Sequence, residues 1–338
     1  MILSDSFIAF CTLILAILFY FEQAEIWQIY TLLALRSVGS AFHMPSMQAS
    51  IPLLAPEPQL LRIAGINQMI QSVSNIAGPA LGALAISMLD MTYVLMLDVV
   101  GALLACTSLL FVTIPNPKPS ETKNKLNLLR DLREAQREVT SHKGMTPLFL
   151  LSILATLFIM PISVLFPLMT LNHFSGSAYQ MSLVEAIWSV GSLAGGLALS
   201  ARQYKVNKII LINAMYILLG TAFVFSGLLP ASAFVWFVVL TAIEGVSGSV
   251  YYASFMTVIQ TKINPAVLGR VFSIFMSVSM LPSILGLMGT GFIADNIGIT
   301  NTFVIGGLVV CAIGAISFFI PSLFQVGRLT VGDETKNI

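Results

Sequence analysis

Apolar residues run along this chain in blocks of about twenty, separated by short polar breaks. The blocks fall at about 2–21, 26–48, 64–88, 91–113, 146–171, 180–200, 208–229, 232–258, 269–293 and 299–321. A helix of roughly 20 apolar residues crosses the hydrocarbon of a bilayer, so the pattern predicts ten membrane-spanning helices. The blocks are continuous rather than alternating, which excludes a barrel. Helices also satisfy their own backbone groups in lipid. One long polar stretch, 114–144, interrupts the series. Pro115, Pro117 and Pro119 favour an extended entry. From Asn124 to His142 the stretch reads as an amphipathic helix, with Leu126, Leu129 and Leu132 on one face and charges on the other. It is either a connector lying on the membrane or on the helix ends, or a plain solvated linker helix.

The pattern repeats. Leu33-Ala34-Leu35-Arg36-Ser37-Val38-Gly39-Ser40 aligns with Thr241-Ala242-Ile243-Glu244-Gly245-Val246-Ser247-Gly248, an offset of 208 residues. Leu60-Leu61-Arg62-Ile63 aligns with Leu268-Gly269-Arg270-Val271, and Gly78 with Gly286. The same shift would map the two blocks between about 145 and 201 to positions ahead of Met1, so the pattern predicts a first half that lacks its opening pair of helices. The expected organisation is a first half of four spans (1–113), a linker (114–144), a second half of six spans (145–324) and a tail (325–338).

Composition agrees with lipid as the solvent: 57% of residues are hydrophobic and 9% charged, against about 25% charged in soluble domains. The net charge of +1 says little; the placement of charge says more. Every Lys and Arg except Arg36 lies in alternate connections or at the chain ends: Arg62, the 118–143 cluster, Arg202, Lys205, Lys208, Lys262, Arg270, Arg328 and Lys336. The positive-inside rule then puts both termini and the linker in the cytoplasm of a multi-pass protein of the cell (plasma or inner) membrane. Cys11, Cys106 and Cys311 all sit in apolar blocks and read as small core hydrophobes.

Two halves joined by a basic loop resemble the major facilitator superfamily, whose halves are parallel repeats related by an axis along the membrane normal. Three segments narrow the resemblance to the macrolide-efflux type of drug exporter: Leu35–Pro45 in a fourth-helix position, Leu165-Phe166-Pro167-Leu168 in a seventh, and Pro265–Ser273 after a tenth. The resemblance implies an all-α membrane protein with a major facilitator fold, its ten spans being helices 3–12 of a twelve-helix plan. A further pattern resembles the helix-five signature of the superfamily's antiporters: Gly65, Ser74, Gly78, Pro79, Gly82 and Ala83. Small residues let a neighbouring backbone approach closely, and Pro79 bends its span. The other reading is a generic packing seam. The superfamily's Gly-Asp-Arg loop between helices two and three would fall ahead of Met1, and its second-half counterpart near Gly196 to Lys208 keeps Arg202, Lys205 and Lys208 but has no Asp.

Ionisable residues at membrane depth are functional suspects. Arg36 and Glu244 are repeat mates, expected to face one another as a charge pair or shared polar site, either proton-coupled or merely orienting their helices. Glu185 is an interfacial residue or a proton or substrate group. Asp98 is expected to make a packing hydrogen bond, and Asp5 an end cap or a contact to the loop expected ahead of Met1. His43 is a proton relay or a satisfied core histidine. Asn67, Gln68 and Gln71 give one helix a polar face, with Asn67 and Gln71 as candidate substrate contacts. Phe166, Trp188, Tyr251 and Tyr252 are candidate stacking surfaces, and Pro161, Pro167 and Pro282 candidate hinges.

The expected function is export of a hydrophobic or amphipathic compound, drug or macrolide-like, by proton antiport and alternating access. Its expected partners are lipid, that small substrate and protons, with no nucleic acid and no cofactor. The alternative is a non-transporting remnant of such an exporter. No Gly-x-x-x-x-Gly-Lys-Ser/Thr loop points to ATP. His43, His142 and His173 lie in unrelated settings and give neither a metal set nor a triad, so an enzyme is not expected.

Overall fold

The computed structural model describes residues 1–115, 128–204 and 206–327. Lys118, Lys123, Lys125, Lys205, Arg328, Lys336 and the start of the predicted linker helix lie outside them. Ten long helices occupy the ten apolar blocks: α1 (Ile2–Tyr20), α2 (Ile26–Leu54), α3 (Leu60–Met88), α4 (Met91–Leu110), then, beyond the linker helix α5 (Leu128–Ser141), α6 (Met145–Leu168), α7 (Ala178–Ala201), α8 (Lys208–Leu228), α9 (Phe234–Lys262), α10 (Pro265–Ile297) and α11 (Ile299–Ser317). A short helix, α12 (Pro321–Val326), follows. The repeat is visible in the bounds: α2 and α9 are both 29 residues long, and each end of one lies 208 residues from the same end of the other.

Nine of these helices are long and apolar enough to cross a membrane by length and composition. The tenth predicted span, α2, falls below that level because Arg36, His43, Gln28 and Gln48 dilute its apolar content. Polar side chains start several helices. Ser177 and Gln180 form a capping box at α7, and Asn207 and Asn264 accept from the first-turn amides of α8 and α10.

The helices α6–α11 share one continuous core. Phe166 stacks on Phe237 at 5.6 Å and meets Phe303 edge-on at 5.3 Å. Glycines bring backbones together along two seams, with Gly191 and Gly245 between α7 and α9, and Gly220 and Gly307 between α8 and α11. In the first set, α1 packs between α2 and α4 around Cys11, Leu15 and Leu32. The long helix α3 packs chiefly on α7 and α9 of the other set. The linker helix α5 lies across α10 and α6: Ala135 is buried, Glu134 pairs with Arg270 at 2.7 Å, and Glu138 accepts from the Asn264 amide at 3.2 Å. It therefore docks on helix ends.

Candidate functional site

The two sets of helices touch on the α5 side. There Leu61 and Ala64 of α3 pack against Leu199, Val250 and Ala253. An alanine-sized side chain at Gly65 would meet Leu199 Cβ at 2.8 Å and the Gly196 carbonyl oxygen at 2.9 Å. Ser72 donates to Ser192 at 3.0 Å, and Arg62 Nε donates to the Ser200 carbonyl at 2.9 Å. Gln260 of α9 donates to both the backbone and the side-chain oxygen of Gln48 at 3.0 and 3.1 Å, with both glutamines buried.

Towards the opposite ends α3 leaves its neighbours. Gly78 and Gly82 have no heavy atom within 4 Å of where a Cβ would stand. The expected close approach along the glycine pattern therefore holds at Gly65 and fails at Gly78 and Gly82, while Pro79 lines open space. That space is a cavity of about 760 Å³ walled by α3, α6, α7, α8 and α9. Ser74, Asn75 and Pro79 form one wall; Ser163, Phe166, Glu185, Trp188 and Glu244 lie on the other side.

The structure sorts the sequence candidates. Phe166 and Trp188 line the cavity, and so do Glu185 and Glu244. Asn67 and Gln71 stand about two turns and one turn below it on α3; Gln71 donates to Asn75, which is in the wall. Tyr251 shares a 2.7 Å hydrogen bond with Ser152 and lies 4.7 Å from the Tyr216 ring. Both Tyr251 and Tyr252 pack in the core of the second set rather than on the cavity wall.

Arg36 and Glu244 are not brought together. Arg36 donates to Asp98 at 2.9 Å, and Thr12 donates to the same oxygen at 3.0 Å. Glu244 accepts from Ser226 at 3.2 Å, and its second oxygen is buried without a hydrogen-bond partner. The physical reason is distance in the fold: α4 lies beside α1, within reach of α2, while Ser226 on α8 is Glu244's neighbour within its own set. His43 Nδ1 lies 2.7 Å from Asp5 Oδ1, so these two suspects form one contact between α2 and α1, and Asp5 makes no end cap on α1.

The sequence reading missed Asn75, Ser226 and the Asp98–Arg36 pair. Asn75 was within reach of pattern, four residues beyond Gln71 on the same face. The other partners come from helices remote in sequence.

The sequence model of the Major Facilitator Superfamily matches residues 1–287. A curated protein called macrolide efflux protein A, from Streptococcus pyogenes, is 34% identical over 97% of this chain and 80% of its own length. A protein called multidrug efflux pump Tap, from Mycobacterium tuberculosis, is 24% identical over 92% of this chain and 75% of its own. Among solved structures, the human organic anion transporter MFSD10 superposes with a TM-score of 0.73 at 15% identity, covering 94% of this chain and 75% of that one. A bacterial homologue of the iron transporter ferroportin, in an outward-facing state, gives 0.69 at 12% identity, covering 94% and 83%. With its helical architecture, its internal repeat and a cavity between the two sets, the chain is a transport protein and not an enzyme, and it belongs to the Major Facilitator Superfamily.

Proposed function

We propose that this chain exports hydrophobic or amphipathic compounds, macrolide-like drugs among them, by alternating access coupled to proton entry. The observation that carries the reading is the cavity. Its volume of about 760 Å³ falls within the usual range for small-molecule sites of roughly 300–1,000 Å³. It lies where α3 departs from α7 and α9, while the opposite ends of the same helices are sealed. The relatives called macrolide efflux protein and multidrug efflux pump support the substrate class.

With the termini and α5 in the cytoplasm of the cell membrane, as the basic connections indicate, the open end faces outward. The arrangement is then the releasing state of an exporter. The inward-open state requires the two halves, 1–113 and 145–324, to rock, breaking the Gln48–Gln260 contact and closing α3 onto α7 at Pro79. Proton coupling is assigned to the intramembrane ionisable groups: Arg36 with Asp98, His43 with Asp5, and Glu244 and Glu185 at the cavity.

Accumulation of radiolabelled erythromycin in energised cells expressing residues 1–338 tests the reading. The expected result is lower accumulation than in control cells, abolished by a protonophore. Accumulation equal to that of controls overturns export, and export indifferent to the protonophore overturns proton coupling.

A further inference from the structure

The linker helix does not close completely on the helices it covers. Between α5, α6 and α10 it leaves a slot of about 220 Å³, below the roughly 300–1,000 Å³ of drug-sized sites. The slot shares no lining residue with the larger cavity. It is long for its volume. Its wall runs from Val271 to Val278 on α10 and from Thr146 to Ile153 on α6, about 10 Å in each case at 1.5 Å per residue. Val278 lies about 20 Å from the start of α10 at Pro265, so the slot leads from the linker helix to the depth of the hydrocarbon. A slender space of this kind suits one alkyl chain and not a ring system.

The walls are apolar, with Val139, Phe149 and Phe275 among them. Three described lining residues are polar, Gln136, Thr140 and Thr146, and the Thr140 hydroxyl is turned back to the carbonyl oxygens of Gln136 and Arg137 on its own helix. The slot is also open sideways: Leu150 in its wall is 62% exposed and Val278 41%, so a chain can enter from the bilayer. The rim carries charge. Arg133, Gln136 and Thr140 follow at i, i+3 and i+7, which puts Arg133 on the lining face of α5 beside the slot. Arg137 stands three residues before Thr140, and Lys143 three before Thr146. All three cations are exposed, and none has an ion-pair partner among the described residues. Two acidic residues of the same helix are engaged on the α10 side, Glu134 with Arg270 and Glu138 with the Asn264 amide. An apolar slot with a positive rim complements an anion that carries a hydrocarbon tail. Arginine forks bind phosphate oxygens bidentately, and basic groups beside a membrane attract anionic lipids.

We propose that the slot binds one anionic phospholipid from the leaflet bordering α5, with an acyl chain among Val139, Phe149 and Phe275 and the phosphate on Arg133 and Arg137, Lys143 completing the rim. The lipid adds to the contacts at Ala135, Glu134 and Glu138 that dock the linker helix. The site is separate from the proposed export cavity and independent of what that cavity carries.

Native mass spectrometry of the detergent-solubilised full chain tests it. The probes are dioleoyl phosphatidylglycerol and dioleoyl phosphatidylcholine, which share their chains and differ in net charge. The expected result is one retained phosphatidylglycerol, favoured over phosphatidylcholine by at least about fivefold, the gain that a single arginine at a membrane surface provides. Arg133→Gln combined with Arg137→Gln should bring phosphatidylglycerol down to the phosphatidylcholine level. Val278→Trp fills the slot from α10 and should lower retention of both lipids; Val139→Trp fills it from α5 and should do the same, so the misfolding of one variant does not decide the matter. Leu97→Trp, on the exposed face of α4, should leave retention unchanged. Equal retention of the two lipids overturns the proposal, as does undiminished phosphatidylglycerol on the double arginine variant or on monodisperse Val278→Trp protein. A lipid-free dimer that Val278→Trp dissociates assigns the slot to a second copy of the chain and also overturns it. None of these readouts uses transport, so a failure of erythromycin export sinks only the exporter reading.

Discussion

Helices α1–α4 and α8–α11 are repeat mates of similar length, yet they are packed to different depths. The most apolar window of α8 is 50% buried against 22% for α1, and that of α11 is 39% buried against 6% for α4. The pair α10 and α3 differ less, at 17% and 6%. Local sequence does not set the difference, since both members of each pair are apolar and helical. Neighbours do. α6 lies against α10 and α11, and α7 lies against α9, whereas among the described residues α1–α4 have no such clasping pair of their own. Instead α7 reaches across and also packs on α3. The second set holds itself together, and it holds α3 as well.

The sharpest way to break this comparison is to remove a large side chain from each set. Phe237 is fully buried among Phe166, Phe174 and Phe303. Lipid tails are as apolar as the ring, so the loss is mainly of packing contacts. Phe237→Ala is expected to cost about 3 kcal/mol and to lower the melting temperature of purified protein markedly. Leu97 on α4 is 56% exposed, and Leu97→Ala should fall within about 0.5 kcal/mol of wild type. Equal losses in a scanning-fluorimetry melt would show that the first set carries its own core.

The contact between sets can be tested on one helix. Gly65→Ala places a methyl against the Gly196 carbonyl and Leu199, and overpacking of this kind costs about 1–3 kcal/mol. The same change at Gly78 meets nothing and should be neutral, or gain up to about 1 kcal/mol from helix propensity. Erythromycin export should fall for Gly65→Ala in proportion to its destabilisation. A Gly78→Ala variant as unstable as Gly65→Ala would mean that α3 is packed along its whole length.

Gln260→Leu acts on the same closed end. It leaves the Gln48 side-chain oxygen buried and unsatisfied, a cost of about 1–2 kcal/mol. Hydrogen exchange at the ends of α2 and α9 near the linker should speed up, with α8 and α11 unchanged. Uniform speeding across the chain would point to general destabilisation instead of an opened gate.

The ten long helices and the glycine contact at Gly65 were legible in the sequence because each is written in a local period or spacing. Hydrophobic blocks set the helices, and the 208-residue shift set the repeat. What was not legible depended on lateral neighbours. Symmetry put Arg36 opposite Glu244, but an ion pair forms with whatever charge is nearest, and α4 brings Asp98 to Arg36 within the first set. Tyr251 looked available for stacking until Ser152 and Tyr216 came to occupy it. Glu185, Glu244, Phe166 and Trp188 were legible one by one; their convergence on one cavity was not, because three different helices supply them.

The smallest effect compares another pair of mates. Arg62 and Arg270 occupy equivalent places in the repeat, at the α5-side ends of α3 and α10. Arg62 reaches across to the Ser200 carbonyl, joining the two sets, while Arg270 pairs with Glu134 of the linker helix. The side chains of Arg270 and Glu134 are 43% and 36% exposed, so solvent screens the pair and its coupling should be no more than about 0.2–1 kcal/mol. A double-mutant cycle with Arg270→Ala and Glu134→Ala isolates that coupling from whatever else either residue touches. It should shrink as salt is raised from 0.05 to about 0.5 M, where the Debye length falls well below 10 Å. The Arg62 contact ends on a backbone carbonyl rather than on a charge, so the cost of Arg62→Ala should change little over the same range. If the two arginines respond alike to salt, the linker helix is not held by this ion pair, and its docking rests on Ala135 and the apolar face around it.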